Sequence, residues 1–184
     1  MPGSALKRSL LEGPYAQITG RFPCLCGSNQ MPVPVAHIIT RMILGGAQEN
    51  TLFTCEGLNL IQHQGEPVWD VTLITGPAIG PEGELIQRAR RNGVRTVVVD
   101  EMRRAIHPVR DALAFFRLVQ ELRRLRPAIV HTHSSKAGVL GRLAARAAGV
   151  PIIIHTIHGL PFHPYESKLK NALYIAGERL SAGV

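Results

Sequence analysis

Aromatic residues are scarce in this 184-residue chain, at 5%, and none alternate with basic residues in the way that stacking platforms for single-stranded nucleic acid do. Nucleic acid is therefore not expected as a partner. Cysteine is equally thin: Cys24, Cys26 and Cys55 are an odd number in a chain long enough to build its own core, so a disulfide framework is not expected and the thiols read as reduced. Long hydrophobic runs are missing too. An uncharged stretch as long as any in the chain, residues 147–165, carries His155, His158 and His163 with two glycines and three prolines, which no bilayer helix tolerates. The opening MPGSALKRSLLEG has no sustained apolar core followed by a small-residue cleavage site, so the expected compartment is the cytoplasm. Acidic residues number 13 against 21 Lys and Arg, a formal charge of +8 that favours an anionic partner: a phosphorylated metabolite or an anionic membrane surface.

Residues 1–32 mix Pro, Gly and Ser without periodicity and read as an irregular tail, in which Cys24 and Cys26 lack the second ligand pair of a zinc finger. From Val33 the pattern turns regular. Strands are expected at 33–40, 71–75, 95–99, 128–132 and 152–156, about one every thirty residues, as in βαβ units. Helices are expected at 47–61, from Pro81 to Asn92-Gly93, from Pro108 to before Pro127, from a Ser134 or Ser135 cap to Gly149, and from after Pro164 to the end. Strands that are apolar throughout suit a parallel sheet covered on both faces. The expected fold is a doubly wound, mostly parallel α/β sheet occupying residues 33–184, with ligands bound beyond the carboxyl ends of its strands.

The residues at those ends narrow the chemistry. Gly45-Gly46 lead from the first strand into a helix, where a bare backbone and free N–H groups suit a phosphate or diphosphate. The glycines do not have the G-x-G-x-x-G spacing of dinucleotide binders or the Gly-Lys-Ser/Thr of a P-loop, and no G-x-S-x-G elbow is present. His131 and His133, two apart on a strand, point the same way, and His155, His158 and His163 surround the next strand end. Such a cluster suits either a metal ion or hydrogen bonding to a polar ligand; the second is favoured because no carboxylate or thiolate accompanies the imidazoles, and no metal or cofactor is expected. Arg110, Arg117 and Arg124 recur every seven residues on one helix face, with Val109, Leu113, Phe116 and Leu122 expected nearer the opposite side. That face suits solvent or anionic lipid.

The segments GGAQENTL, VTLITG, HTHSSKAGVLGRLAARAAGVP and IIIHTIHGLPF, in this order, resemble the amino-terminal half of family 4 glycosyltransferases of the GT-B fold. The resemblance runs from Val33 to the end. It implies a retaining transfer of sugar from a UDP- or GDP-linked donor to a sugar, lipid or polyprenyl-linked acceptor, in a cleft between two Rossmann-like domains. It further implies that Gly45 and Gly46 lie against the donor diphosphate, that His158 contacts the donor sugar near the reacting carbon with Gly159 beside it, and that Gln48, His133 and Ser134 wall the acceptor side. In that family the nucleotide contacts, a basic pair and an E-x7-E motif belong to a carboxyl-terminal domain that lies beyond this sequence. The chain alone is accordingly expected to be inactive, with apolar surface left uncovered around Tyr174, Ile175 and Leu180. The alternatives are a non-catalytic binding module or one subunit of a split transferase.

Overall fold

A computed structural model describes residues 31–79, 85–159 and 167–183. The expected tail, Cys24, Cys26 and His163 lie outside them. The chain divides after Pro32, and the fold described here is that of the unit Val33–Val184.

Among the described residues seven strands and five helices follow in the order β1 (Val33–Ile39), α1 (Gly46–Leu60), β2 (Gln62–His63), β3 (Glu66–Pro67), β4 (Trp69–Thr75), α2 (Ile86–Arg91), β5 (Arg95–Val98), α3 (Pro108–Leu125), β6 (Ile129–His133), α4 (Ser135–Ala148), β7 (Ile152–Thr156) and α5 (Lys168–Ala182). Five strands pair in parallel in the order β5-β4-β1-β6-β7, so the chain starts at the centre, builds outward to one edge and then returns to build the other. The expected strands all form, within one or two residues. The β2–β3 hairpin, not among the expected elements, turns on Gln64 and Gly65, both with positive φ; the Gln-Gly dipeptide is its signal.

Alternation along β1 sorts the core into two layers. Ala36 and Ile38 face Leu118, Leu122, Val130 and Ala144 from α3, β6 and α4, while Ile39 on the other face meets Leu52, Cys55, Leu73 and Ile86 from α1, β4 and α2. Burial within the second layer pushes the Cys55 thiol up to about 12, so it acts there as a small apolar group.

Two helix readings are corrected. In α3 the buried residues are Ala114, Leu118, Val119 and Leu122, whereas Val109, Leu113 and Phe116 are exposed, at 67%, 51% and 66%. They flank Arg110 and Arg117 instead of opposing them, because residues three and four apart on a helix share a face. The second correction concerns α4. Ser134 is its N-cap, yet its hydroxyl does not cap the helix; Thr40, at the end of β1, accepts the Ala137 N–H at 3.2 Å instead. At the carboxyl end, Leu180 is exposed while Tyr174 and Ile175 are half-buried.

Candidate functional site

The strand order reverses between β1 and β6, so the connections leaving those neighbouring strands diverge to opposite faces of the sheet and leave a crevice at their carboxyl ends. Two helix N-termini stand at this point: Gly46 of α1, following β1, and Ser135 of α4, following β6. Gly45 is extended (φ 164°), so its backbone is one that any residue adopts, and a Cβ there would lie 2.8 Å from Gln48 Oε1. Gln48 thus folds back over Gly45. Gly46 is exposed with open space about it, and what these glycines offer is bare, approachable backbone.

Across the switch point the Thr40 and Ser134 hydroxyls are 2.8 Å apart. Ser134 holds φ 63° and ψ 157°, a combination essentially confined to glycine elsewhere and costing about 1–3 kcal/mol. Its carbonyl accepts from Gly138 N at 2.7 Å. We expect Ser134→Gly to stabilise the domain by about 1 kcal/mol, strain relief exceeding the loss of one hydroxyl hydrogen bond. Urea unfolding checks this, and a lower midpoint for the variant contradicts it.

The imidazoles form the centre of the site. Register places His37 of β1 beside His131 of β6, and alternation puts His37, His131 and His133 on the same face. The rings of His37 and His133 are stacked with centroids 5.4 Å apart, and those of His131 and His133 are 4.2 Å apart. His37 Nδ1 and His133 Nε2 are 3.1 Å apart, as are His133 Nδ1 and His158 Nε2. His131 Nε2 is 2.7 Å from the Thr156 hydroxyl. His158, in the loop after β7, is exposed, and Gly159 beside it is exposed and open. A row of imidazoles therefore leads from the buried sheet to the surface. Burial, with the neighbouring His131, holds His37 down to about 3; burial, then His131, His37, His158 and His155 in that order, holds His133 down to about 2. Both are neutral at physiological pH.

His155 does not join this cluster. It pairs with Thr132 in the register and points to the opposite face, where its Nδ1 is 2.9 Å from Thr132 Oγ1 and 3.1 Å from the Thr132 carbonyl oxygen, and its ring lies directly beneath Gly138 of α4. The expected cluster of five histidines is thus reduced, among the described residues, to His131, His133 and His158, joined by His37, a strand residue for which no role was expected. Its signal was a polar ring in the otherwise apolar run VPVAHIIT. His37, His131 and His133 each offer a ring nitrogen within 4.8 Å of the others, so they are the described residues that could hold a metal ion. As a chemical unit the site combines bare backbone at a helix N-terminus, suited to a phosphate oxygen, with an exposed imidazole anchored from below and suited to a hydroxyl or a phosphate.

This architecture is that of one half of a GT-B glycosyltransferase. The outer-core lipopolysaccharide galactosyltransferase WaaB in its apo form superposes with a TM-score of 0.55 at 14% identity, covering 79% of this chain and 37% of that one. MurG of Acinetobacter baumannii gives a TM-score of 0.52 at 19% identity, over 79% and 39%. HepE of Anabaena, solved in complex with UDP, gives 0.53 at 14% identity, over 80% and 35%. In sequence, residues 58–183 match the glycosyl transferase 4-like domain. The chain is also 33% identical over 147 residues to the UDP-Gal:alpha-D-GlcNAc-diphosphoundecaprenol alpha-1,3-galactosyltransferase of Escherichia coli, an alignment that takes in 80% of this chain and 35% of that enzyme. The chain belongs to the glycosyl transferase 4-like family, as the amino-terminal domain. It spans about a third of the length of its galactosyltransferase relative.

Proposed function

We propose that this chain is the acceptor-side half of a retaining glycosyltransferase that moves a sugar from a UDP- or GDP-linked donor to a polyprenyl-linked sugar, with the nucleotide held mainly by a carboxyl-terminal domain or partner subunit. The observation that carries the reading is His158, exposed at the carboxyl end of the sheet and tied at 3.1 Å to buried His133. In the reaction, the acceptor hydroxyl oxygen forms a bond to the anomeric carbon, the bond from that carbon to the diphosphate breaks, and the hydroxyl proton leaves with the nucleoside diphosphate. His158 donates a hydrogen bond to the donor sugar near that carbon, and Gly159 lets the sugar approach the loop. Gly45 and Gly46 lie against the diphosphate, where the α1 N-terminus stabilises its growing charge, usually the largest catalytic contribution. Gln48, His133 and Ser134 wall the acceptor. Support for the substrates comes from the galactosyltransferase relative, whose name specifies a UDP-Gal donor and a diphosphoundecaprenol-linked acceptor. The test is release of nucleoside diphosphate from UDP-galactose, UDP-N-acetylglucosamine and GDP-mannose by the two-domain protein supplied with a polyprenyl-diphosphate sugar. Release dependent on the acceptor is expected with one donor, and release from none of them overturns the reading.

A second reading concerns location. No helix among the described residues is long and apolar enough to cross a membrane. Yet Ile106, Val109, Leu113 and Phe116 form an exposed apolar stripe along the start of α3, beside Arg103, Arg104, Arg110 and Arg117. Apolar groups flanked by cations complement an anionic leaflet, and a polyprenyl acceptor lives in one. The chain then works at the cytoplasmic face of the membrane. Replacing Arg110, Arg117 and Arg124 with Gln is expected to weaken binding to phosphatidylglycerol vesicles at least tenfold, at about 1 kcal/mol per charge, with neutral phosphatidylcholine vesicles as the reference. Vesicle binding that survives the three changes contradicts it.

A further inference from the structure

His37, His133 and His158 have more to specify than their proximity. Each neutral imidazole carries one ring proton, so His133, whose two nitrogens both face another imidazole at 3.1 Å, donates through one nitrogen and accepts through the other. Only two arrangements satisfy both contacts. In the first, His37 Nδ1–H donates to His133 Nε2, and His133 Nδ1–H donates to His158 Nε2. In the second, every donor and acceptor is exchanged.

The buried end of the row decides between them. His37 is 1% exposed, and its Nε2 has no hydrogen-bond partner among the described residues. The second arrangement puts a proton on that Nε2, creating a buried N–H with no acceptor. The first leaves only an unshared lone pair there. Orphaned buried N–H groups are rarer than under-satisfied acceptors. We propose that His37 and His133 are positioning residues, a one-way imidazole chain running outward from the sheet that fixes His158 as the Nδ1–H tautomer and so presents an N–H donor, not an acceptor, to the ligand.

The register makes the chain hard to disturb. His37 and His133 sit on adjacent paired strands and are each 1% exposed, and His133 lies between His37 and His158. Thr156 occupies His131 Nε2 at 2.7 Å, which directs that nitrogen away from the row. An N–H donor at His158 matches a sugar hydroxyl oxygen or a phosphate oxygen, both acceptors, and opposes a ligand N–H. The functional consequence rests on the role proposed for His158 above; the tautomer itself does not.

The test uses the chain labelled with 15N-histidine and long-range 1H–15N correlation spectra at pH 7.5, without donor or acceptor. Free imidazole side chains in water favour Nε2–H, so the expected result, His158 and His133 predominantly as Nδ1–H, departs from the default. His37→Asn keeps a donor near the Nδ1 position and is expected to preserve the His158 tautomer. His133→Leu removes the donor to His158 Nε2 and is expected to shift His158 toward Nε2–H. A wild-type His158 found mainly as Nε2–H overturns the chain, as does an unchanged His158 tautomer in folded His133→Leu. Stoichiometric zinc or nickel on the purified protein, shared by His37, His131 and His133, also overturns it. The wild-type spectrum decides the matter even if His133→Leu fails to fold. Because no substrate is present, a wrong tautomer leaves the transferase reading standing, and a wrong reaction leaves the tautomer standing.

Discussion

Lowering the pH from 7 to 5 is expected to destabilise the domain by about 4 kcal/mol, through two residues, His37 and His133. His37 and His133 titrate near 6.5 in the unfolded chain, but burial in the sheet and the neighbouring imidazoles bring them to about 3 and about 2 when folded. Between these limits the unfolded chain takes up protons that the folded one refuses. Their neutral packing therefore contributes fully above pH 6.5, and stability falls as the pH drops below it, by about 1.4 kcal/mol per unit for each imidazole. Two imidazoles over this range account for the stated loss, a large share of the 5–15 kcal/mol that folded domains typically have. The half-buried His131 and His155 shift in the same direction, chiefly from burial, and add to the slope. Urea midpoints measured every half unit from pH 7.5 to 5 check this. A flat profile would show that the row is charged, or open to water, in the folded state.

The second large effect is on chemistry. If His158 acts as proposed, His158→Ala, in the chain joined by the proposed carboxyl-terminal domain or partner, is expected to lower kcat for sugar transfer by about 10²–10³-fold, the range seen when one preorganised donor at developing charge is lost. The acceptor KM should move little, since His158 is assigned to the donor. Stability should also move little, because the side chain is exposed and its single described partner, His133, keeps its bond to His37. Turnover within threefold of wild type, in a variant that melts normally, removes His158 from the mechanism.

Much of this was legible in the chain itself. Apolar, β-branched runs closed by Gly or Pro located all five strands of the main sheet within two residues, because a strand covered on both faces must be apolar throughout. Pro108 and Pro127 bracketed α3 for local steric reasons, and Gly149 closes α4 in the left-handed conformation. The misreadings share a cause: each depended on a neighbour distant in sequence. His37 gains its place only when β6 lies alongside β1, 96 residues before His133. Ser134 looked like a side-chain cap until Thr40 arrived to do that work, leaving the serine strained and bonded sideways. His155 seemed to belong with His158, but a one-residue offset on a strand sends a side chain to the other face. On α3, the exposure of Val109, Leu113 and Phe116 reflects which face the sheet covers, which helical periodicity alone does not state.

The parts fit one description: a switch point with a bare helix N-terminus on one side, a strained serine on the other, and an imidazole row ending in His158. In the proposed function this surface serves sugar transfer to a lipid-linked acceptor. Its most direct test follows a radiolabelled sugar from its UDP-linked donor into the organic phase with a polyprenyl-diphosphate sugar as acceptor, using the chain together with its carboxyl-terminal domain or partner. Label is expected in the lipid fraction with the wild-type site, with a loss of about 10²-fold or more in His158→Ala. Label that reaches the lipid equally well in both, or that never leaves the nucleotide with any donor offered, would contradict it.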